Sequence, residues 1–396
     1  MNIKSAYPLL LLLILLTFSC DHDPIPSEVT RTIESVREEY APDRRVARFE
    51  VEAMATANGL VLAGESNLPK ARQTLMNRLE EAGIEVIDEI EMLPDVEELN
   101  GHIYGVVRLS ACNIRSEPRH SAELSTQSTL GAILRVHKEQ DGWFLVQTPD
   151  DYFGWLDAGG FTPMTREQLS VWKAADKVVY LPDFGFSLAQ PERAARPVSD
   201  LMAGNILRLL ETEGDYMRVA YPDGRPAYIT ATDLAGYDAW LSSRRYQADA
   251  ILATAQTFLG RPYLWGGTSG KGVDCSGYTK TVFYLNGLLL PRDASQQVHT
   301  GMEIETDSTF SNLQAGDLLF FGRKATGEKP ERIVHVAIYM GEGKIIHSSG
   351  IVCIESLRRG DPDFNEYRFN TFVRAKRPLS GIGENGVQRL GETAYY

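Results

Sequence analysis

Apolar and polar residues alternate with a period of two from Val46 to Met54. The apolar run returns over Leu60 to Ala63 after Asn58-Gly59, which predicts a β-hairpin. Pro69 then opens an amphipathic helix running to about Ala82, Gly83 closes it, and Glu85 to Ile87 reads as a further strand. Residues 21–30 are polar, so 21–100 is expected to be a tether followed by a small α+β unit. From 103 to 165 short apolar runs are cut by turns: Asn113 to Pro118, Gly131 to Leu134, Asp141 to Val146 and Tyr152 to Leu156. That rhythm describes a small β-barrel over 101–166. It recurs more weakly over 178–240, where Met202-Ala203-Gly204 matches the Gly131 turn, Glu213 to Val219 the Trp143 strand, and Ala227-Tyr228-Ile229 matches Gly154-Trp155-Leu156. Residues 167–243 are therefore expected to be a diverged second copy. In 244–378 the pattern predicts helices Ala248 to Leu259 and Tyr278 to Asn286. Strands Asp317 to Phe321, Val334 to Met340, Lys344 to His347 and Phe372 to Ala375 follow, so the class is α+β. The Gly-rich residues 379–396 are expected to form a flexible tail.

Residues 1–20 stand apart. Lys4, the unbroken apolar run Leu9 to Leu16 and Thr17-Phe18-Ser19-Cys20 form an export signal too short to span a bilayer. A small residue before a cysteine resembles a bacterial lipoprotein processing site, with Thr17 where Leu is usual. Lipidation of Cys20 would anchor an otherwise soluble monomer to a membrane of the cell envelope; ordinary secretion is the plainer alternative.

At 396 residues the chain is long enough for two to four domains, and 43% hydrophobic against 23% charged residues excludes a wholly disordered chain. A net charge of −13 argues against nucleic-acid binding and suits a substrate bearing ammonium groups. Beyond Cys20 there are three cysteines, Cys112, Cys275 and Cys353, so at least one thiol is free. Cys112 and Cys353 are open to pairing with each other or to burial as small hydrophobes.

Cys275 holds the most chemistry. It stands at the start of a predicted helix behind Asp274, a good N-cap, and after glycines at 266, 267, 270 and 272 that permit close backbone approach. A helix N-terminus favours the thiolate. A phosphate-binding loop is excluded because Gly270-Lys271 is followed by Gly272 rather than Ser or Thr. His335 and His347 lie on two short apolar strands joined near Gly341-Glu342-Gly343. An odd-numbered loop would place both histidines on one face as diagonal neighbours, and a two-residue loop on opposite faces. His335 would then be the general base on Cys275, and His347 the group fixing its ring. The other reading of one Cys and two His is a zinc site, but no close Cys-x-x-Cys or His pair supports it, so neither metal nor organic cofactor is expected.

Phe258 to Gly267, Asp274-Cys275-Ser276-Gly277, Gly316 to Phe321, His335 to Gly341 and Ile346-His347 together resemble the NlpC/P60 family of papain-like cell-wall peptidases. The strand phrases over 103–165 resemble bacterial SH3-type domains of wall proteins. The resemblance implies hydrolysis of murein stem peptides by a Cys275–His335–His347 triad, with Tyr263 helping to bind the oxyanion or else packing under the loop. Asp274 and Ser276 are expected beside the substrate. Two SH3-type modules narrow the resemblance to γ-D-glutamyl-L-diamino-acid endopeptidases, which cut before diaminopimelate or lysine when the L-alanine amine is free. Asp293 matches the family's amine-binding aspartate, and Glu117 and Tyr152 the residues that close its pocket. The plainer roles are a helix cap, a turn residue and a barrel residue. Ala294 departs from the family, where a serine that touches substrate is common. Competing expectations are a DL-endopeptidase or amidase acting on intact peptidoglycan, a catalytically silent murein-binding lipoprotein, and acyl transfer on lipids.

Overall fold

A computed structural model describes residues 25–307, 309–384 and 386–393. The export signal and Cys20 lie outside the described residues. Among those described, no helix is long and apolar enough to cross a membrane. The chain divides into two compact units, one running through Tyr40 and adding Phe49–Glu91, the other comprising Ala41–Arg48 and Met92–Tyr396.

The first unit contains α1 (Ser27–Tyr40), β1 (Phe49–Thr56), β2 (Gly59–Ser66), α2 (Pro69–Glu81) and β3 (Ile87–Met92), with sheet order β1-β2-β3. Pairing runs from Phe49↔Ser66 to Thr56↔Gly59, as the hairpin signal implies. Helix α1 was not anticipated. Its buried residues Val29, Ile33 and Val36 recur at helical spacing, but the surrounding charge makes so narrow an apolar stripe easy to miss.

The second unit opens with two seven-stranded sheets. The first is built from β4 (Tyr104–Val107), β5 (Ala111–Arg115), β6 (Leu124–Thr129), β7 (Ile133–Gln140), β8 (Trp143–Gln147), β9 (Phe153–Asp157) and β10 (Phe161–Met164), in the order β10-β4-β7-β8-β9-β5-β6. After α3 (Arg166–Ala174), capped by Thr165 with Gln168 at N3, come β11 (Lys177–Tyr180), β12 (Phe184–Leu188), β13 (Pro197–Met202), β14 (Ile206–Glu213), β15 (Tyr216–Ala220), β16 (Pro226–Thr230) and β17 (Leu234–Gly236). Their order, β13-β12-β16-β15-β14-β11-β17, is the first order reversed, strand for strand. The irregularities repeat as well. Bulges fall between Val136 and Lys138 and between Leu209 and Glu211, and the lone bridge Arg115↔Trp155 is matched by Leu188↔Tyr228. Gly131 and Gly204 both take positive φ at the corresponding turn. Cys112 is buried in the first barrel's core, and Cys112, Cys275 and Cys353 all carry free thiols.

The last part comprises α4 (Tyr237–Ser242), α5 (Ala248–Gln256), β18 (Thr268–Ser269), β19 (Gly272–Val273), α6 (Cys275–Leu285), β20 (Leu288–Leu289) and α7 (Ala294–Gln297). It continues with β21 (Met302–Ile304), β22 (Leu318–Arg323), β23 (Arg332–Gly341), β24 (Lys344–Ser349), β25 (Ile351–Ser356), α8 (Glu366–Thr371), β26 (Phe372–Arg377) and β27 (Gln388–Arg389). The main sheet runs β21-β26-β22-β23-β24-β25. Helix α6 is buried along almost its whole length, packing Tyr278, Val282 and Phe283 against Phe320, Val336, Ile338 and Ile346. The expected flexible tail over 379–396 is corrected over its described part. β27 pairs with β20, and Val387 and Leu390 are fully buried, so the glycines serve turns and two apolar side chains pin the segment down.

Candidate active site

Cys275 is the first residue of α6, and Asp274 caps that helix by accepting from Gly277 N–H at 2.7 Å. The carboxylate also accepts from Gly266 N–H at 3.0 Å and from both terminal nitrogens of Arg292, at 2.5 and 3.2 Å. Arg292 is 1% exposed and also donates to Ser276 Oγ at 3.1 Å. Asp274 and Ser276 line the cleft, but their polar atoms are engaged internally and hold the Cys275 loop. A Cβ at Gly277 would fall 1.9 Å from Gly267 O, so only glycine lets the helix start press against this loop. At Gly266, with φ +77°, a Cβ would fall 2.1 Å from Leu124 O of β6, because the first barrel presses on the loop from the other side.

His335 and His347 come together as expected, by a different device. The turn is two residues long, Glu342-Gly343, which alone would separate the rings. A bulge between Tyr339 and Gly341 shifts the register by one, so that Tyr339 faces Ile345 while Gly341 faces Lys344. That single extra residue restores the common face. His335 Nε2 and His347 Nδ1 lie 2.7 Å apart, with the rings nearly perpendicular.

Electrostatics leave the Cys275 thiol and the His335 imidazole neutral at rest. Burial, then the neighbouring Asp274 carboxylate, push the Cys275 thiol up to about 11, although the Ser276 and Val336 backbone N–H groups favour the thiolate. The expected thiolate at the helix start is therefore outweighed by desolvation. Burial first, then His347 and Arg368, hold His335 well below its ordinary value. Tyr263 lines the same cleft, with its hydroxyl shifted upward by burial and by proximity to Cys275.

The cleft encloses about 500 Å³, and its lining includes Tyr263, Cys275 and Val334 together with Glu123, Tyr152 and Asp293. Tyr152 Oη donates to Asp293 Oδ2 at 3.0 Å, so these two expected partners do meet. Glu117 does not join them. It is 57% exposed on a turn and pairs with Arg119. The acid that the first barrel supplies is Glu123, which accepts from Trp265 Nε1. Arg45 is also present, donating to Asp293 Oδ2 at 2.6 Å and Ser295 Oγ at 3.1 Å while Asp43 holds it from behind.

Residues 260–364 match the NlpC/P60 family, and 114–160 match the bacterial dipeptidyl-peptidase Sh3 domain. A γ-D-glutamyl-L-lysine dipeptidyl-peptidase of Bacillus subtilis is 32% identical over 237 residues, covering 57% of this chain and 72% of the relative. The chain belongs to the NlpC/P60 family. A Bacillus cereus protein of the same description is 30% identical over 240 residues, with 57% and 67% covered. A solved NlpC/P60 protein from Bacillus cereus shares the fold with TM-score 0.57 at 24% identity, over 70% of this chain and 99% of its own. As an NlpC/P60 member the protein is a cysteine peptidase.

Three contributors to this NlpC/P60 site went unrecognised in the sequence. Arg45 lies 248 positions before Asp293, and no local pattern joins them. Arg292 stands beside Asp293, but its burial against Asp274 depends on tertiary packing. Glu123 follows Glu117 by half a turn-and-strand phrase, and only the way β6 meets the Gly266 loop selects between them.

Proposed function

We propose that the enzyme hydrolyses the γ-D-glutamyl–diamino acid bond of murein stem peptides whose L-alanine amine is free, in turnover of cell-wall peptides. Cys275 is the nucleophile, His335 the base and His347 its orienter. The observation that carries this reading is one cleft lined by both Cys275 and the Tyr152–Asp293 pair. Such a cleft binds an amine at one end and presents a carbonyl to the thiol at the other. Because thiol and imidazole are neutral at rest, His335 takes the thiol proton as sulfur attacks. The Cys275 backbone N–H and the Tyr263 hydroxyl stabilise the oxyanion. Collapse expels the diamino acid amine, which receives the proton from His335. Water, deprotonated by the same histidine, then releases the γ-glutamyl acyl group from sulfur. Asp293, with Glu123 in place of Glu117, supplies negative charge for the substrate ammonium.

The test is mass spectrometry of residues 21–396 incubated with L-Ala-γ-D-Glu-diaminopimelate, with the lysine analogue, and with each N-acetylated. Release of diamino acid from the free-amine peptides alone, abolished in Cys275→Ala, is expected. Equal cleavage of the acetylated forms would keep the peptidase and remove the amine pocket. Cleavage only of intact peptidoglycan would favour the DL-endopeptidase reading.

A further inference from the structure

We propose that Glu355 is a positioning residue of the relay: its carboxylate fixes His347 in the tautomer that leaves His335 free to accept the thiol proton. This rests on the Cys275–His335–His347 reading above. A single proton lies between His335 Nε2 and His347 Nδ1, 2.7 Å apart. If His347 Nδ1 carries it, His335 Nε2 is the acceptor and neutral His335 keeps its own proton on Nδ1. The nitrogen left to serve Cys275 is then already protonated and cannot act as a base. If His335 Nε2 carries it, His347 Nδ1 accepts, the His347 proton sits on Nε2, and His335 Nδ1 is open. Catalysis therefore needs a proton at His347 Nε2.

That atom lies 2.9 Å from Glu355 Oε2. An ionised carboxylate can only accept, so it selects the productive tautomer. His347 is fully buried, and Nε2 makes no well-aligned hydrogen bond to any described residue, so the Glu355 carboxylate within ion-pair range is the charge that this atom faces. The register explains the placement. His347 faces Cys353 across β24 and β25, and Glu355 stands two residues on, on the same face. His335, His347 and Glu355 thus step diagonally across three neighbouring strands.

Glu355 is itself held. Asn365, at the start of α8, donates to Oε2 at 2.7 Å. The His347 contact, opposed by burial and aided by Asn365 and Arg368, keeps the carboxyl below its usual range, so it is ionised at neutral pH. The other groups facing this cluster are the Arg368 guanidinium on α8 and the thiols of Cys353 and Cys275. Arg368 opposes a positive charge on His335. When His335 takes the proton, Glu355 is the carboxylate that offsets both that charge and the arginine.

The experiment compares the full chain with Glu355→Gln and Glu355→Asp, measuring pH profiles of kcat/KM on the free-amine tripeptide. The rate of Cys275 alkylation by iodoacetamide, which needs no turnover, is followed in parallel. Loss of the adjacent negative charge lowers a histidine's pKa, so the limb reporting the histidine pair is expected to move to lower pH in both assays for Glu355→Gln. A fall in kcat of roughly ten- to a hundredfold with nearly unchanged KM accompanies it, as for loss of an outer partner that orients a functional histidine, and Glu355→Asp recovers part of it. Chelator is included throughout, since the donor atoms of His347, Cys353 and Glu355 lie within 4.8 Å of one another and could gather stray metal. Profiles that superimpose on the wild type, or a lower kcat with an unmoved profile, would overturn the assignment. Cys275→Ala and His335→Ala are run beside them. If either keeps turnover the triad reading fails, whereas if both are dead and Glu355→Gln is unaltered only the Glu355 role fails.

Discussion

The first seven-stranded sheet sends Glu123, Leu124, Ser125 and Tyr152 into the cleft, whereas the second, with the same strand order and bulges, contributes no residue to its lining. The residues that correspond to Glu123, Leu124 and Tyr152 in the second copy are Arg196, Pro197 and Arg225. Arg225 is turned onto its own loop, paired with Asp223 and stacked on Tyr221. Both copies nonetheless dock on α6. The first does so through the buried Lys280–Asp150 pair, reinforced on β18 by reciprocal bonds between Thr268 and Gln127, and the second through Tyr284 Oη donating to Gly204 O at 2.7 Å. Position within a fold therefore confers nothing by itself. The difference is made by which edge meets the loop before Cys275 and by which side chains stand on it.

The largest effect that would sharpen this contrast lies at the first copy's anchor. Lys280→Met strands the Asp150 carboxylate, whose side chain is 2% exposed, and should cost about 3–5 kcal/mol in urea unfolding, while pairing it with Asp150→Leu restores most of that. A loss under about 1 kcal/mol would show that the barrel is not held there. Next, Asp293→Asn or Tyr152→Phe should raise KM for the free-amine tripeptide about tenfold, or about 1.4 kcal/mol, and leave the acetylated peptide uncleaved. Arg225→Ala, at the position in the second copy that corresponds to Tyr152, should leave both constants where they were; a matching rise in KM would erase the distinction between the copies. The smallest effect is expected for Tyr284→Phe. It removes the bond to Gly204 and should lower stability by about 1 kcal/mol without moving KM, and a change in KM would mean that the second copy also shapes the cleft.

Local pattern made much of this legible. Asp274 was readable as a cap because capping is a matter of four consecutive residues, and the barrel repeat because turn glycines recur at fixed spacing. The two histidines were readable as facing neighbours, yet the loop was counted as odd when the odd residue lies in a bulge at Met340. Glu117 misled because it sits in the right phrase, and the docking of β6 on the Gly266 loop, which selects Glu123, is set by contacts distant in sequence. Arg45, Arg292 and Glu355 acquire their roles only when separate elements close on one another. Glycine content points to a flexible tail, whereas Val387 and Leu390 find a buried seat that only the folded chain provides.

Hairpin turns on a protein surface ordinarily drift in length between descendants, since an added residue costs little there. The turn after β23 does not have that freedom. Because the bulge before Glu342-Gly343 carries the parity that unites His335 with His347, inserting or deleting one residue between them would swing one imidazole to the opposite side of the sheet. Two residues could be gained or lost together without that penalty. Lineages carrying this chemistry are thereby expected to vary the hairpin in even steps, with bulge and turn exchanging length but never changing their combined parity.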